Sequence, residues 1–356
     1  MKIAVITGSR ADWNGLGMVA MALRDRGADV AVVAIGQHHD RPESLETIKA
    51  DGFAPLVLKT NMGEDMAAGA GMACKATAEA LGRILPDLVI VLGDRFEIAG
   101  AATAASLRRI PLAHIGGGDV TEGSVDDKLR YAITALADLH FVTNSMALAR
   151  IARIIGDREG LIYKTGNPAL DRISKTAMVT RETLFAELRL QPSSRNILVA
   201  YHAATREADP AKGCRELIAA LHRLSDASFL VLGTNADMGS EKIEALLRQF
   251  TKDMPRAVMR GNLAPQLFYG ALAHFDCMVG NSSAGVVETA SFGIPVVNVG
   301  DRQKGRPLPI NVESCPPHWE AILRAVVDQL SKTRMVCSNP YGDGDSAARI
   351  AAIIMQ

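Results

Sequence analysis

Cysteine is scarce in the 356-residue chain, and the five that occur do not group together. No two of them form a Cys-x-x-Cys pair, and their number is odd. This excludes the disulfide framework of a small secreted protein, and the ligand spacing of a structural zinc site is also missing. The five are Cys74, Cys214, Cys277, Cys315 and Cys337.

The chain also lacks an excess of charge and any long hydrophobic run. Lysine plus arginine number 39, as do aspartate plus glutamate, so no net positive charge is available to neutralise nucleic-acid phosphates. The N-terminal apolar run has about five residues, fewer than a signal-peptide core, and no run approaches the ~18 residues of a membrane span. We therefore expect a cytoplasmic protein whose partner is a small molecule, with no nucleic acid and no membrane involved.

Short, apolar, β-branched runs alternate with longer amphipathic segments along the whole chain. The short runs are continuously apolar, as expected for parallel strands that are covered by helices on both faces. At roughly 150 residues per domain, the length accommodates two domains. The pattern predicts an α/β protein with two Rossmann-like, doubly wound domains facing a cleft, and ligands are expected beyond the carboxyl ends of the strands.

Turn-forming residues near the middle of the chain predict the domain boundary. The first domain is predicted over residues 1–168 and the second over 192–335, with a connecting segment at 169–191. Residues 336–356 hold a last helix with no strand after it. We expect this helix to pack back on the first domain.

Two polar segments follow the first and fourth predicted strands. Residues 8–12 (Gly-Ser-Arg-Ala-Asp) offer N–H groups and the charge of Arg10 to an anion, or else form a tight turn capped by Asp12 or Asn14. Asp94 and Arg95 suit a proton acceptor and a phosphate or sugar contact. A helix cap with an ion pair between these two residues is the alternative.

A third segment runs from His114 to the predicted helix that holds Arg130. Its three glycines at 116–118 let the backbone approach a ligand closely. Four carboxylates then fall within nine positions, and such crowding raises carboxyl pKa values, which suits general acid–base catalysis. Alternatively, the last two carboxylates only stabilise a helix N-terminus. The four are Asp119, Glu122, Asp126 and Asp127.

Two further segments follow predicted strands of the second domain. His202 ends the first of these strands, and catalytic and structural roles are equally open for it. Ser282 and Ser283 precede Gly285 at a predicted helix start, where hydroxyls, N–H groups and the helix dipole favour a diphosphate. Glu288 is placed to accept hydrogen bonds from ribose hydroxyls, whereas a plain serine N-cap is the alternative.

Together these motifs resemble the UDP-N-acetylglucosamine 2-epimerase family, and residues 117–123 (Gly-Gly-Asp-Val-Thr-Glu-Gly) are similar to its hydrolysing branch. The resemblance covers nearly the whole chain. It implies the GT-B arrangement of two domains, UDP held mainly by the second, and hydrolysis of UDP-N-acetylglucosamine to UDP and N-acetylmannosamine for sialic-acid-type sugars. It implies no metal or cofactor, and a homo-oligomer (dimer or tetramer).

The same resemblance implies roles for individual residues. Catalysis falls on Asp94, Asp126 and His202. Nucleotide binding falls on Arg10, Asn235, Ser282, Ser283, Glu288 and Arg302, to which we add Arg95, Arg130 and Gly285 as substrate- or UDP-binding residues.

Three positions depart from the family pattern. Gly116 stands where the family usually carries glutamate, or in some members histidine, so a catalytic carboxylate is missing unless Asp119 or Glu122 replaces it from the same loop. Tyr131 and Trp13 stand where relatives place histidine and tyrosine. A smaller residue at 116 also leaves room for a 4-acetamido group, which indicates a 2,4-diacetamido-2,4,6-trideoxy sugar on the way to a legionaminic-acid-type product.

Three other interpretations remain open. One is a GT-B glycosyltransferase, and another is a non-hydrolysing 2-epimerase. The third is a nucleotide-sugar binder that lost activity with the change at Gly116.

Overall fold

A computed structural model describes residues 1–40, 42–60, 65–120, 127–156, 161–203, 209–234, 239–261 and 263–356. The chain divides into two compact units. The first takes in Met1–Asp119, residues 127–175 and Tyr341–Gln356, and the second takes in Thr176–Pro340 together with Val120. The unit boundary at Lys175 therefore falls inside the segment predicted as the connection.

Seven parallel strands form the sheet of the first unit, in the order β3-β2-β1-β4-β5-β6-β7. The interior strand at Lys2–Thr7 is apolar on both faces, with Ile3 and Val5 in one core cluster and Ala4 and Ile6 in the other. Such two-sided burial explains the continuous apolar runs. The strands are β1 (Lys2–Thr7), β2 (Asp29–Ala34), β3 (Leu56–Val57), β4 (Leu88–Leu92), β5 (Leu112–Ile115), β6 (Leu139–Val142) and β7 (Ile162–Lys164).

Within the described residues, eight helices of the first unit precede the boundary. Helix α4 packs closely on α5, where a Cβ added at Gly100 would lie 2.3 Å from the Ala70 carbonyl oxygen. The eight are α1 (Arg10–Asp25), α2 (Gln37–Asp40), α3 (Leu45–Ala50), α4 (Met66–Ile84), α5 (Phe96–Leu107), α6 (Asp127–Leu136), α7 (Ser145–Ile155) and α8 (Asp171–Lys175).

Six parallel strands form the sheet of the second unit, in the order β10-β9-β8-β11-β12-β13. The strands are β8 (Arg195–Ala200), β9 (Ala227–Leu232), β10 (Ala257–Arg260), β11 (Cys277–Gly280), β12 (Val296–Val299) and β13 (Val312–Cys315). The helices are α9 (Arg181–Leu188), α10 (Lys212–Leu221), α11 (Ser240–Asp253), α12 (Pro265–His274), α13 (Ala284–Val287) and α14 (Trp319–Leu330). Both units thus have the strand order of a Rossmann fold, as predicted.

The last helix, α15 (Ser346–Ile354), packs against α1 in the first unit. The Asp171 carboxylate accepts hydrogen bonds from the backbone N–H groups of Ser346 and Ala347, at 3.1 and 2.6 Å. These bonds satisfy two donors at the helix start. Within the described part of the chain, no helix is long and apolar enough to cross a membrane.

Candidate active site

The centre of the first unit's candidate site is an ion pair between Asp94, which follows β4, and Arg130 of α6. The Arg130 side chain is 5% exposed, and Nη1 also donates to the Asp119 carbonyl oxygen at 2.5 Å. Asp127 Oδ1 lies 3.4 Å from the same nitrogen. Arg130 is predicted as a substrate- or UDP-binding residue, and the structure places its guanidinium among protein oxygens.

The three glycines after β5 serve different purposes. A Cβ at Gly117 would lie 3.0 Å from His114 Nδ1, and one at Gly118 would lie 2.4 Å from the Ala147 carbonyl oxygen. These two therefore permit close packing. Gly116 has φ of +79°, and no heavy atom of the described residues lies within 4 Å of its Cβ position. Gly116 alone of the three borders open space within the part of the chain that the structure describes.

Asp119 uses its carboxylate to hold the loop after β5 against the end of β6. Its Oδ1 accepts hydrogen bonds from the Thr143 hydroxyl at 2.7 Å and from the Asn144 amide at 3.2 Å. One oxygen of this predicted catalytic carboxylate is thus already bound. The other predicted replacement, Glu122, and the predicted catalytic Asp126 lie outside the described residues.

His114 lies on β5, and its side chain contacts both the residue after β4 and helix α6. Its Nε2 lies 2.8 Å from the Gly93 carbonyl oxygen, and Nδ1 lies 3.2 Å from the Thr134 hydroxyl. Burial lowers the pKa of His114 to about 4, so the ring is neutral at physiological pH. A neutral ring donates from Nε2 and accepts at Nδ1. The sequence shows the histidine but not these two partners, which come from β4 and α6.

Residues 8–12 form a helix start, as the second interpretation of this segment predicts, although the N-cap is Ser9. Its hydroxyl accepts from Asp12 N at 3.2 Å, and the Asp12 carboxylate accepts from Gly8 N at 3.2 Å. Burial raises the pKa of Asp12 to about 7, while nearby Arg95 opposes the shift. Arg10 begins the helix and stays half-buried.

Arg95 is the N-cap residue of α5 and pairs with Glu97 in the first turn of that helix, not with Asp94 as the helix-cap alternative predicts. Its Nε donates to Glu97 Oε1 at 2.6 Å, and the Glu97 side chain is fully buried. The Glu97 side chain fills the space beside Gly8 and Gly36, whose added Cβ atoms would lie 3.0 and 2.9 Å from Glu97 Cγ. Arg95 is therefore held in place next to Asp94.

The second unit's candidate site joins the ends of β8 and β11. The Asn281 side chain accepts from His202 N at 2.7 Å and donates to the His202 carbonyl oxygen at 2.9 Å. Burial, with help from the positive charge of Arg302, lowers the pKa of His202 to about 3. The imidazole is therefore neutral, and its Nδ1 lies 3.3 Å from the Thr234 hydroxyl.

The segment after β11 is less helical than predicted. Helix α13 has four residues and is followed by a 3-10 turn at Thr289–Ser291, so the helix dipole expected at Gly285 is small. The Ser282 hydroxyl lies 3.4 Å from Ala284 N, and Ser283 precedes the helix without a side-chain cap bond. The serine N-cap alternative is therefore only weakly realised.

Arg302 and Gln303 converge on the loop that the two serines begin. Both donate to the Asn281 carbonyl oxygen, at 3.2 and 2.8 Å. Burial raises the pKa of the half-buried Glu288 to about 7, against the effect of Arg306. The structure therefore brings predicted residues 202, 282–288 and 302 together and adds Asn281 and Gln303, while Asn235 lies outside the described residues.

The sequence profile of the UDP-N-acetylglucosamine 2-epimerase family matches residues 21–355. The UDP-N,N'-diacetylbacillosamine 2-epimerase (hydrolyzing) of Legionella pneumophila is 32% identical, over 98% of this chain and 94% of its own. The GDP/UDP-N,N'-diacetylbacillosamine 2-epimerase (hydrolyzing) of Campylobacter jejuni is 28% identical, over 86% and 82%. The chain belongs to the UDP-N-acetylglucosamine 2-epimerase family.

The fold agrees with this assignment. The crystal structure of UDP-GlcNAc 2-epimerase from Neisseria meningitidis bound to UDP-GlcNAc superposes with a TM-score of 0.86, covering 100% of both chains at 17% identity. At that identity the similarity shows the fold alone. The family resemblance and the two Rossmann-like domains predicted from the sequence are confirmed.

Proposed function

We propose that the protein hydrolyses a UDP-linked 2-acetamido sugar and inverts its C2, releasing UDP and the free manno-configured sugar. The observation that carries the proposal is the full-length similarity to the Legionella enzyme described as hydrolysing. The arrangement of charges is consistent with it, because the first unit concentrates carboxylates and the second presents Arg302 beside two serines.

We further propose a 2,4-diacetamido-2,4,6-trideoxy sugar as the preferred substrate. Two relatives are described by a diacetamido substrate of this kind. The space over Gly116, clear of the described residues, is consistent with an added 4-acetamido group. The product is then a precursor of a legionaminic-acid-type sugar, made in the cytoplasm by a homo-oligomeric enzyme.

The reaction begins with loss of UDP, because the C2–H bond of the sugar is barely acidic. The C1–O bond breaks with oxocarbenium character, and the electron pair leaves on the UDP diphosphate. A carboxylate takes the C2 proton, which gives a glycal with a C1–C2 double bond. Water then adds its hydroxyl at C1, and a proton returns to the opposite face of C2.

Each step has a proposed residue. Asp94 is the carboxylate that exchanges a proton with C2 of the substrate. A positioned acid or base of this kind raises the rate by about 10²–10⁴-fold. Arg302 and the Ser282 hydroxyl stabilise the departing diphosphate, as donors do wherever negative charge develops. His202, held neutral by burial, donates or accepts a hydrogen bond without adding charge. Asp126 remains the predicted partner of Asp94.

Proton NMR in D₂O tests the reaction. The purified protein is incubated with UDP-N-acetylglucosamine and separately with UDP-2,4-diacetamido-2,4,6-trideoxyglucose. We expect UDP release and a free manno sugar deuterated at C2, formed faster from the diacetamido substrate. A manno sugar still linked to UDP indicates the non-hydrolysing reaction, dependence on an acceptor indicates a glycosyltransferase, and saturable binding without turnover indicates a binder.

Substitution of Gly116 tests the substrate choice. We expect G116E to lower kcat/KM for the diacetamido substrate by about tenfold more than for UDP-N-acetylglucosamine, because the new side chain occupies the proposed acetamido space. The matched control G116A carries the same cost of a side chain at positive φ, about 1–2 kcal/mol, and should lower both values equally. Faster turnover of UDP-N-acetylglucosamine by the unmodified protein would overturn the substrate assignment.

A further inference from the structure

Among the four arginines predicted to contact the substrate, Arg130 alone is buried. Arg10, Arg95 and Arg302 are all partly exposed, whereas Arg130 is 4% exposed. A buried guanidinium is costly unless it is paired and hydrogen-bonded. The partners of Arg130 are therefore the first evidence of what it does.

Those partners come from three separate segments of the first unit. Arg130 pairs with Asp94 at the end of β4, bonds to the Asp119 carbonyl in the loop after β5, and pairs with Asp127 at the start of α6. The planar guanidinium presents donors in a fixed fork, so satisfying several acceptors fixes their relative positions. Moving any one of the three segments breaks a contact to a buried charge.

We propose that Arg130 is a positioning residue that fixes the Asp94 carboxylate relative to the loop holding Gly116, and that it does not contact the nucleotide. The inference rests on the proposed function, since it assigns Arg130 an effect through Asp94. A reacting group displaced by about 1 Å costs about 10² in rate. Loss of the fork should therefore lower kcat and leave substrate affinity unchanged.

The loop offers a matched control, because a second arginine bonds to it without reaching Asp94. Arg150 Nη1 donates to the Gly118 carbonyl oxygen at 3.1 Å. Lysine keeps the positive charge at either position but cannot reproduce the fork. The pair R130K and R150K therefore separates positioning of Asp94 from general support of the loop.

The test is a double-mutant cycle in kcat, KM and UDP affinity, on R130K, D94N, the double variant and R150K. We expect R130K to lower kcat about 10²-fold, with KM and the Kd for UDP within threefold of the unmodified protein. Added to D94N, R130K should lower kcat by less than a further threefold, because both changes remove the same function. R150K should keep kcat within threefold.

Two results would overturn the inference. One is a raised KM and Kd for UDP with kcat unchanged, as expected of a nucleotide contact. The other is a further 10²-fold loss of kcat when R130K is added to D94N. If D94N itself turns over normally, the proposed role of Asp94 fails instead.

A second variant keeps the proposal testable if R130K does not fold. D127N removes one anchor of Arg130 at the start of α6, where the Asp127 side chain is 16% exposed. It should lower kcat by about threefold to tenfold with KM unchanged, because one of several contacts to the guanidinium weakens. An unchanged kcat in D127N would contradict the positioning role.

Discussion

The two units share one strand order but carry different chemistry at the carboxyl edge of the sheet. In the first, the prominent contact is between charges, because Asp94 and Asp127 surround the guanidinium of Arg130. In the second, neutral groups are prominent, since His202 is held uncharged and the Asn281 side chain bonds to the backbone of His202. The same fold is thus suited to acid–base work in one unit and to holding an anion in the other.

The two arginines show why the difference matters. Carboxylates offset the charge of Arg130, whereas Arg302 donates to the neutral carbonyl of Asn281. Because the charge of Arg130 is already paired with Asp94 and Asp127, an anion such as a diphosphate is favoured near Arg302 rather than near Arg130.

The largest expected effect comes from removing the charge of Asp94. D94N should lower kcat by about 10²–10⁴, with KM within threefold, since a positioned acid or base contributes that much. The matched variant D119N should cost less than tenfold, because the Asp119 carboxylate already holds Thr143 and Asn144. Steady-state kinetics with coupled detection of UDP measures both. Equal losses in D94N and D119N would give Asp119 an acid–base role as well.

The second-largest effect is expected from a substitution in the second unit. R302M should raise the Kd for UDP about 10- to 100-fold, which corresponds to one lost charge-assisted hydrogen bond. The kcat at saturating substrate should fall by less than the kcat of D94N. Titration calorimetry with UDP measures the affinity, and R302K, which keeps the charge, should fall between R302M and the unmodified protein. An unchanged Kd in R302M would remove Arg302 from the nucleotide site.

Most of the fold follows from the sequence because buried parallel strands are continuously apolar. The apolar run Leu88–Leu92 predicts a strand, and it coincides with β4. The edge strand β13, at Val312–Cys315, gives no such signal, because its residues are partly exposed and include Glu313 and Ser314. The amphipathic pattern predicts a helix from Leu16, but α1 begins at Arg10. Gly15, just before Leu16, interrupts the helical pattern, whereas in the fold it serves close packing, since a Cβ there would lie 3.0 Å from Leu92 Cδ1.

The candidate site could be predicted only in part. The polar segments after strands can be predicted as site residues because the carboxyl ends of parallel strands meet at one edge of the sheet, where ligands bind. The pairing of Asp94 with Arg130 spans 36 positions and depends on how α6 returns across the sheet, which no local pattern records. The short α13 was also unpredictable, because residues 284–292 are compatible with a longer helix.

The smallest effect concerns stability against pH in the first unit. The pKa of Asp12 is about 7 in the fold and near 3.8 unfolded, so its protonated form favours the fold. Its contribution is fully present below about pH 4 and is lost as the pH rises through 7. D12N lacks this dependence, so between pH 5 and pH 8 it should gain about 2–3 kcal/mol relative to the unmodified protein.

The two tryptophans make this measurement specific to one unit. Trp13 lies buried in the first unit and Trp319 lies in the second. In a Trp319→Phe background, urea unfolding followed by fluorescence therefore reports the first unit alone. A difference between D12N and its parent that does not change with pH would show that Asp12 titrates normally.

The division of work between the units is tested most directly by amide hydrogen exchange with and without saturating UDP. We predict that UDP gives its largest protection in peptides covering residues 280–290 and around His202. Peptides covering 93–119 should show smaller changes, because UDP lacks the sugar on which Asp94 is proposed to act. Protection concentrated at 93–119 and absent from 280–290 would contradict the account.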